Sequence, residues 1–287
     1  MENAASATDD FVSFVLSIQN LHPTTILSVF FLTLARILPI VTLAPFLGAK
    51  NLPAMVKMMF SVALCALFLP QNLLSIHGNI PYNTVYIGYL LKELVFGTVL
   101  GFIAAAPFYI AQTAGTLMDH SRGSSALQVT DPTTQTQTGP LGILYNYVLI
   151  AIFFALGGPF LFFEALARSY QIIPVDGLIS ASFFNLQLPF WKQITGMLQH
   201  IMNLAIQLSA PALIGMLLTD LFLGIANRMA PQVQVVFLGI PLKSWVGIAL
   251  IAAAWSLTII VMGKESIQWI KAINQYVTQA SQSLVHY

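Results

Sequence analysis

Charge is what this sequence has least of. Only 7% of its 287 residues are Asp, Glu, Lys or Arg, against 57% hydrophobic. A soluble domain carries about 25% charged residues and could not bury this much apolar surface in one core, so the chain belongs in or against a membrane. Its net charge of +1 excludes the clustered Lys and Arg that neutralise nucleic-acid phosphates. Cysteine is nearly absent too. The single Cys65, in the run SVALCALFLP, leaves no disulfide framework and no metal-ligand spacing, and reads as a small buried hydrophobe. The N-terminus, MENAASATDD, lacks the positive region and cleavage site of a secretory signal, so the first hydrophobic segment is expected to stay in the protein.

Catalytic patterns are missing as well. The five histidines are scattered, and there is no HExxH, no phosphate-binding glycine loop and no GxSxG. Asp119, His120 and Ser121 offer an acid, a base and a nucleophile in name only. Neighbours in one flexible loop cannot form a preorganised triad, which needs support from separate elements. The expectation is a protein that is not an enzyme, with no catalytic residues, metal or cofactor.

What the sequence does have is length in its apolar runs. They cover about Thr25 to Leu47, Met55 to Leu74, Val85 to Ala114, Leu141 to Ala167, Met197 to Ile225 and Trp245 to Met262. A hydrocarbon core about 30 Å thick needs roughly 20 helical residues, so the pattern predicts an all-α, polytopic membrane-type protein of about six helices. Pro39, Pro45, Pro107, Pro159 and Pro211 fall inside or near the ends of these runs. Each predicts a kink or break, and hence bent hairpins rather than straight rods. Lys and Arg in the connecting segments fall five on each side of a six-span layout, so the charge rule assigns no orientation. A chain surrounded by protein subunits has less need of that asymmetry.

Charges within the runs need partners, because each costs about 2.5 to 3.5 kcal/mol at mid-bilayer on insertion scales. Arg36 either meets a carboxylate or carbonyls of another subunit or pairs within the chain, for instance with Glu93. Lys92 and Glu93 are adjacent and point to different sides of a helix, so they are not expected to neutralise each other, and one of them should reach a helix end or interface. Glu164 and Arg168, at i and i+4, are expected to form a local pair. Gly97, Gly101 and Ala105 place small residues on one helical face, where another backbone can come close.

Between the third and fourth runs lies a polar segment, Gly115 to Pro140, reading GTLMDHSRGSSALQVTDPTTQTQTGP. A second mixed segment, Asp220 through Asn227, Arg228, Ala230, Pro231, Gln232 and Phe237 to Pro241 and Lys243, separates two further apolar helices. With the early ARILPIVTLAPFLGA, these segments resemble the FliR/SctT family, the export-apparatus membrane subunits of bacterial type III secretion systems. The resemblance runs from about Leu27 to Ile260. Asp119, Arg122, Gly123 and the pair Asp131 and Pro132 look like the injectisome (SctT) branch more than the flagellar one. His120 and Ser121 stand where that pattern often has Asn and Gln.

The resemblance implies one domain over 1–287, with a polar N-terminal segment to residue 22, a plug-like loop at 115–140 and an amphipathic tail from 263. It implies a multi-pass inner-membrane subunit that completes a helical pore with SctR/FliP-like and SctS/FliQ-like partners, and meets an SctU/FlhB-like switch protein. Unfolded secretion substrates would leave through the conduit. The plug would comprise Gly115, Met118, Asp119, Arg122, Gly123, Ser124, Asp131 and Pro132. Candidate subunit contacts are Arg36, Pro39, Asp220, Asn227, Arg228, Pro231, Gln232 and Lys243, with Asn227 and Arg228 ending a helix that Pro231 stops. Asp220 lies two turns before Arg228, in reach of it along a regular helix. The competing reading of the loop is a solvated linker. The competing reading of the chain is a secondary transporter or small-solute channel, which would show internal repeats with matching broken helices; no convincing repeat is seen.

Overall fold

The computed structural model describes residues 22–48, 52–76, 78–80, 82–123, 129–130, 137–177, 189–229 and 235–285. Within them the protein is helical, apart from one small ribbon, as composition and periodicity predict. The elements fall into two compact units, drawn from Met1–Ala105, Phe160–Lys192 and Ile270–Tyr287, and from Ala106–Pro159 and Gln193–Trp269.

Helix α1 spans Pro23–Leu43, with proline at its start, where a missing N–H costs nothing. A 3-10 turn at Pro45–Leu47 follows and ends on Gly48 at φ 81°, so Pro45 breaks the first apolar run instead of bending it. Helix α2 covers Ala54–Leu74 and buries Ser61, Leu64, Cys65, Phe68 and Asn72, a single stripe at helical spacing. That stripe lies on α1, where Asn72 Nδ2 donates to Thr33 Oγ1 at 2.9 Å and the Cys65 thiol to the Phe30 carbonyl at 3.3 Å. Met55, Met59 and Leu67, on other faces of α2, are exposed.

Helix α3, Thr84–Ser121, runs 38 residues, about 57 Å at 1.5 Å per residue. It overruns its expected end near Ala114 by two turns. Gly115, Met118 and Asp119, expected in the polar loop, are therefore helical, and the loop begins at Arg122. Gly123 at φ 76° ends the helix in the left-handed conformation that a glycine at this position takes without cost. The small-residue stripe of α3 faces α1. A Cβ on Gly97 would overlap the Arg36 carbonyl, and one on Gly101 would sit 3.0 Å from Ile40 Cα. Ala105 is fully buried.

Beyond α3 two short strands pair in an antiparallel ribbon. Strand β1, Val129–Thr130, pairs with β2, Gln137–Thr138, placing Val129 opposite Thr138. The expected run Leu141 to Ala167 is two helices, α4 at Pro140–Ala155 and α5 at Gly158–Ile172. The break falls at Gly157, φ 71°, and a Cβ on Gly158 would overlap the Phe153 ring. Helix α6 extends over Pro189–Met229 with Pro211 inside it. Helices α7, Val235–Ala253, and α8, Trp255–Val285, meet at a 62° bend within the run expected to be one segment, Trp245 to Met262. Among the described residues, four helices are long and apolar enough to cross a membrane, or up to six spans if each broken pair counts as one.

Candidate functional site

In the first unit one cluster of charges is sealed. Arg36, fully buried on α1, forks onto Glu93 of α3, Nε to Oε2 at 2.5 Å and Nη2 to Oε1 at 2.8 Å. Its remaining donors reach Ser169 Oγ at 3.2 Å and the Ile173 carbonyl at 2.8 Å, and its guanidinium lies 4.2 Å over the Tyr170 ring. A planar fork matched to a carboxylate is the strongest common ion-pair geometry. Of the two readings of Arg36, the structure supports the pair within the chain.

Lys92 corrects an expectation. Adjacent residues leave a helix in different directions, yet the four-carbon stem of Lys92 folds back far enough for Nζ to sit 2.9 Å from Glu93 Oε1. It also reaches a helix end, as expected of one of this pair. Nζ donates to the carbonyls of Pro174 at 2.6 Å and Val175 at 3.2 Å, just past α5. Backbone carbonyl oxygens carry partial negative charge and satisfy a buried ammonium where water is absent. The cluster ties α1, α3 and the end of α5 together. Pro39 lies one turn further along α1, half-buried, its carbonyl accepting from Thr42 Oγ1 at 2.9 Å. Glu164 and Arg168 are both exposed on α5, and no ion pair joins them among the described residues.

In the second unit a charged cluster stands at the polar loop. Asp119, on the last turn of α3, turns its carboxylate to the start of α4. Oδ2 accepts the backbone N–H of Leu141 at 2.8 Å and that of Gly142 at 3.3 Å, while Oδ1 accepts from Arg122 Nη2 at 2.5 Å. The two backbones are nearly in contact here. A Cβ on Gly115 would fall 2.5 Å from the Leu141 carbonyl oxygen, and one on Gly142 would lie 2.6 Å from Thr116 Oγ1. Met118 is buried beside them in sequence.

Arg122 also lines a cavity of about 320 Å³ with Gly123, Asp220, Leu223, Gly224, Asn227, Gly239, Ile240 and Lys243. Asp220, Leu223, Gly224 and Asn227 recur at helical spacing on one face of α6, and Gly239, Ile240 and Lys243 open α7. The two polar motifs of the sequence, far apart along the chain, thus converge on one cavity. The stem of Arg122 rests on Gly247, and its Nε is buried without a partner among the described residues. Asp220 pairs with Lys243 rather than with Arg228, although α6 stays regular through Met229. Two turns separate Asp220 from Arg228 along the helix, whereas Lys243 lies across the cavity. Asn227 and Arg228 are exposed in the last turn of α6, which ends at Met229 as expected. Ser124, Asp131, Pro132, Pro231 and Gln232 lie outside the described residues. No group of three metal-binding side chains converges among those described.

Sequence reasoning missed Gly139, Leu141, Gly142 and Gly247, and the carbonyls of residues 173 to 175. One signal was present. Gly139 before Pro140 begins a helix with no capping side chain, so the cap had to come from elsewhere.

The sequence profile of the bacterial export proteins, family 1, matches residues 27–268. The chain belongs to that family. The export protein is 33% identical over 213 residues to the secretion system apparatus protein SsaT of Salmonella typhimurium, covering 74% of this chain and 79% of the relative. It is 37% identical over 155 residues to the Yop proteins translocation protein T of Yersinia pestis, covering 53% and 57%. To the flagellar biosynthetic protein FliR of Escherichia coli it is 29% identical over 234 residues, covering 79% and 84%. These matches agree with the FliR/SctT resemblance and with its injectisome branch. The export protein is thus a helical membrane protein of an export family.

Proposed function

We propose that this export protein is a core subunit of a type III secretion export gate in the bacterial inner membrane. It completes a helical pore with SctR-like and SctS-like subunits, next to an SctU-like switch protein, and unfolded proteins cross through that pore. The observation that carries the reading is the combination of the family match with a chain that leaves α6 largely uncovered. Only 22% of the apolar window of α6 is buried, and Leu217, Leu218, Leu221, Phe222 and Ile225 are exposed. Lipid or sister subunits must cover such a surface.

The polar loop is the plug of this pore. Its composition suits the task, being hydrophilic and glycine-containing, and its ends are held at a fixed base while the stretch between them is long enough to be displaced. The cavity at the end of α6 is the joint to a neighbouring subunit, where Asn227 and Arg228 offer exposed polar groups. Co-expression with SctR-like and SctS-like subunits, followed by purification on a tag carried by this chain, tests the assembly. The expected result is a defined complex containing all three, and a chain that moves no solute when placed alone in liposomes. A lone chain that transports a small solute would favour the secondary transporter or channel instead.

A further inference from the structure

We infer that Asp119 is the positioning residue of the loop: its carboxylate serves as the cap of α4 from the neighbouring helix and so ties the two ends of the polar loop together. The inference rests on the plug reading for its functional meaning, and on local geometry for its substance. Helix α4 starts with Gly139 at the capping position in extended conformation, φ −71° and ψ 156°, and has no capping side chain of its own. The donors that a capping Ser or Asp would satisfy are the N–H groups two and three positions on. Those are Leu141 and Gly142, the two that Asp119 Oδ2 accepts.

Gly139 is held to glycine by the same arrangement. Its φ is ordinary, but a Cβ there would overlap the Asp119 carboxylate, lying 2.5 Å from Cγ. Asp119 thus occupies the space in which a local cap would stand. Arg122 fixes the other carboxylate oxygen and is itself the first loop residue after α3. Gly115 and Gly142 let the helices approach closely enough for the carboxylate to span the gap. A local cap would stabilise α4 equally well and leave the loop ends independent. A cap supplied across the gap makes closure of the loop and order at the start of α4 one event.

The distinction can be tested by moving the cap. In the assembled complex, Asp119→Ala should speed amide exchange at Leu141 and Gly142 roughly fivefold, the size expected for a lost cap, and should raise ion leakage in planar bilayers. Asp119→Gly with Gly139→Ser removes Asp119 Oδ2, Cγ and Cβ, the three atoms nearest to a Cβ at position 139, and so makes room for a local cap. It should restore the protection of both amides and leave the leak, because the tie is still cut. Gly139→Ser alone should disturb the base, since the new side chain meets the carboxylate. A complex deleted for residues 124–138 serves as the control for the plug. If the deletion leaks while Asp119→Ala stays as closed as the parent, the tie is refuted and the plug stands. Closure by the double variant as tight as the parent's would also refute the tie. If the deletion does not leak, the plug falls and the tie is judged on exchange alone, with unchanged protection in Asp119→Ala overturning it.

Discussion

The two charged clusters of this protein are built from similar side chains and behave as opposites. Around Arg36, one carboxylate meets two cations whose other donors go to a hydroxyl and three backbone carbonyls, with almost no exposure. Around Arg122, two carboxylates meet two cations beside a cavity, and the Asp220 and Lys243 side chains remain 47% and 24% exposed. A charge within an apolar helix is therefore no functional marker by itself. What separates a lock from a joint is whether the bonding capacity is used up inside the chain.

The sharpest way to break the comparison is Glu93→Ala. It strands Arg36 and Lys92 in the interior and should destabilise the first unit by about 3 to 5 kcal/mol, the penalty for removing one partner of a buried pair. Denaturant unfolding in detergent, or accumulation in membranes, measures it. Next in size is Gly97→Ala, which forces α3 away from the Arg36 carbonyl. Overpacking of this kind costs about 1 to 3 kcal/mol, and the same unfolding assay should rank it below Glu93→Ala. Lys243→Ala belongs to the open cluster and should cost less than about 1 kcal/mol, as solvent-screened pairs do, while weakening co-purification with partner subunits. A large stability loss there would erase the contrast. Glu164→Ala is the floor of the series. Exposed on α5 and unpaired with Arg168, it should shift stability by no more than about 0.5 kcal/mol.

Much of this was legible in the chain itself, for reasons that differ by region. Apolar runs long enough for a bilayer announced helices, and the intramembrane Arg36 announced a need for a partner, with Glu93 as one of two named options. The end of α3 was not legible from composition. Four of the residues from 115 to 121 are polar, but polarity reports contact with water or polar groups, not conformation, and Asp119 finds its partners across a helix gap while remaining helical. The break at Gly157 was hidden for the converse reason. It sits in a uniformly apolar stretch where periodicity gives no contrast, and only its positive φ and the packing of Phe153 beside Gly158 reveal it. Lys92 misled because spacing rules describe where a side chain leaves the helix, not where a long stem can end. The cavity was half legible: both of its motifs stood out as polar segments, while their meeting is a product of tertiary structure.

The contrast between lock and joint is tested most directly by photo-cross-linking in cells that express the whole apparatus. A photoreactive residue replacing Asn227, exposed at the cavity, should yield an adduct whose mass and peptides identify a co-expressed export-gate membrane subunit. The same probe replacing Ser169, inside the sealed cluster, should yield only links within the chain. An intersubunit adduct at position 169, or none at 227 in a complex that assembles normally, would contradict the account.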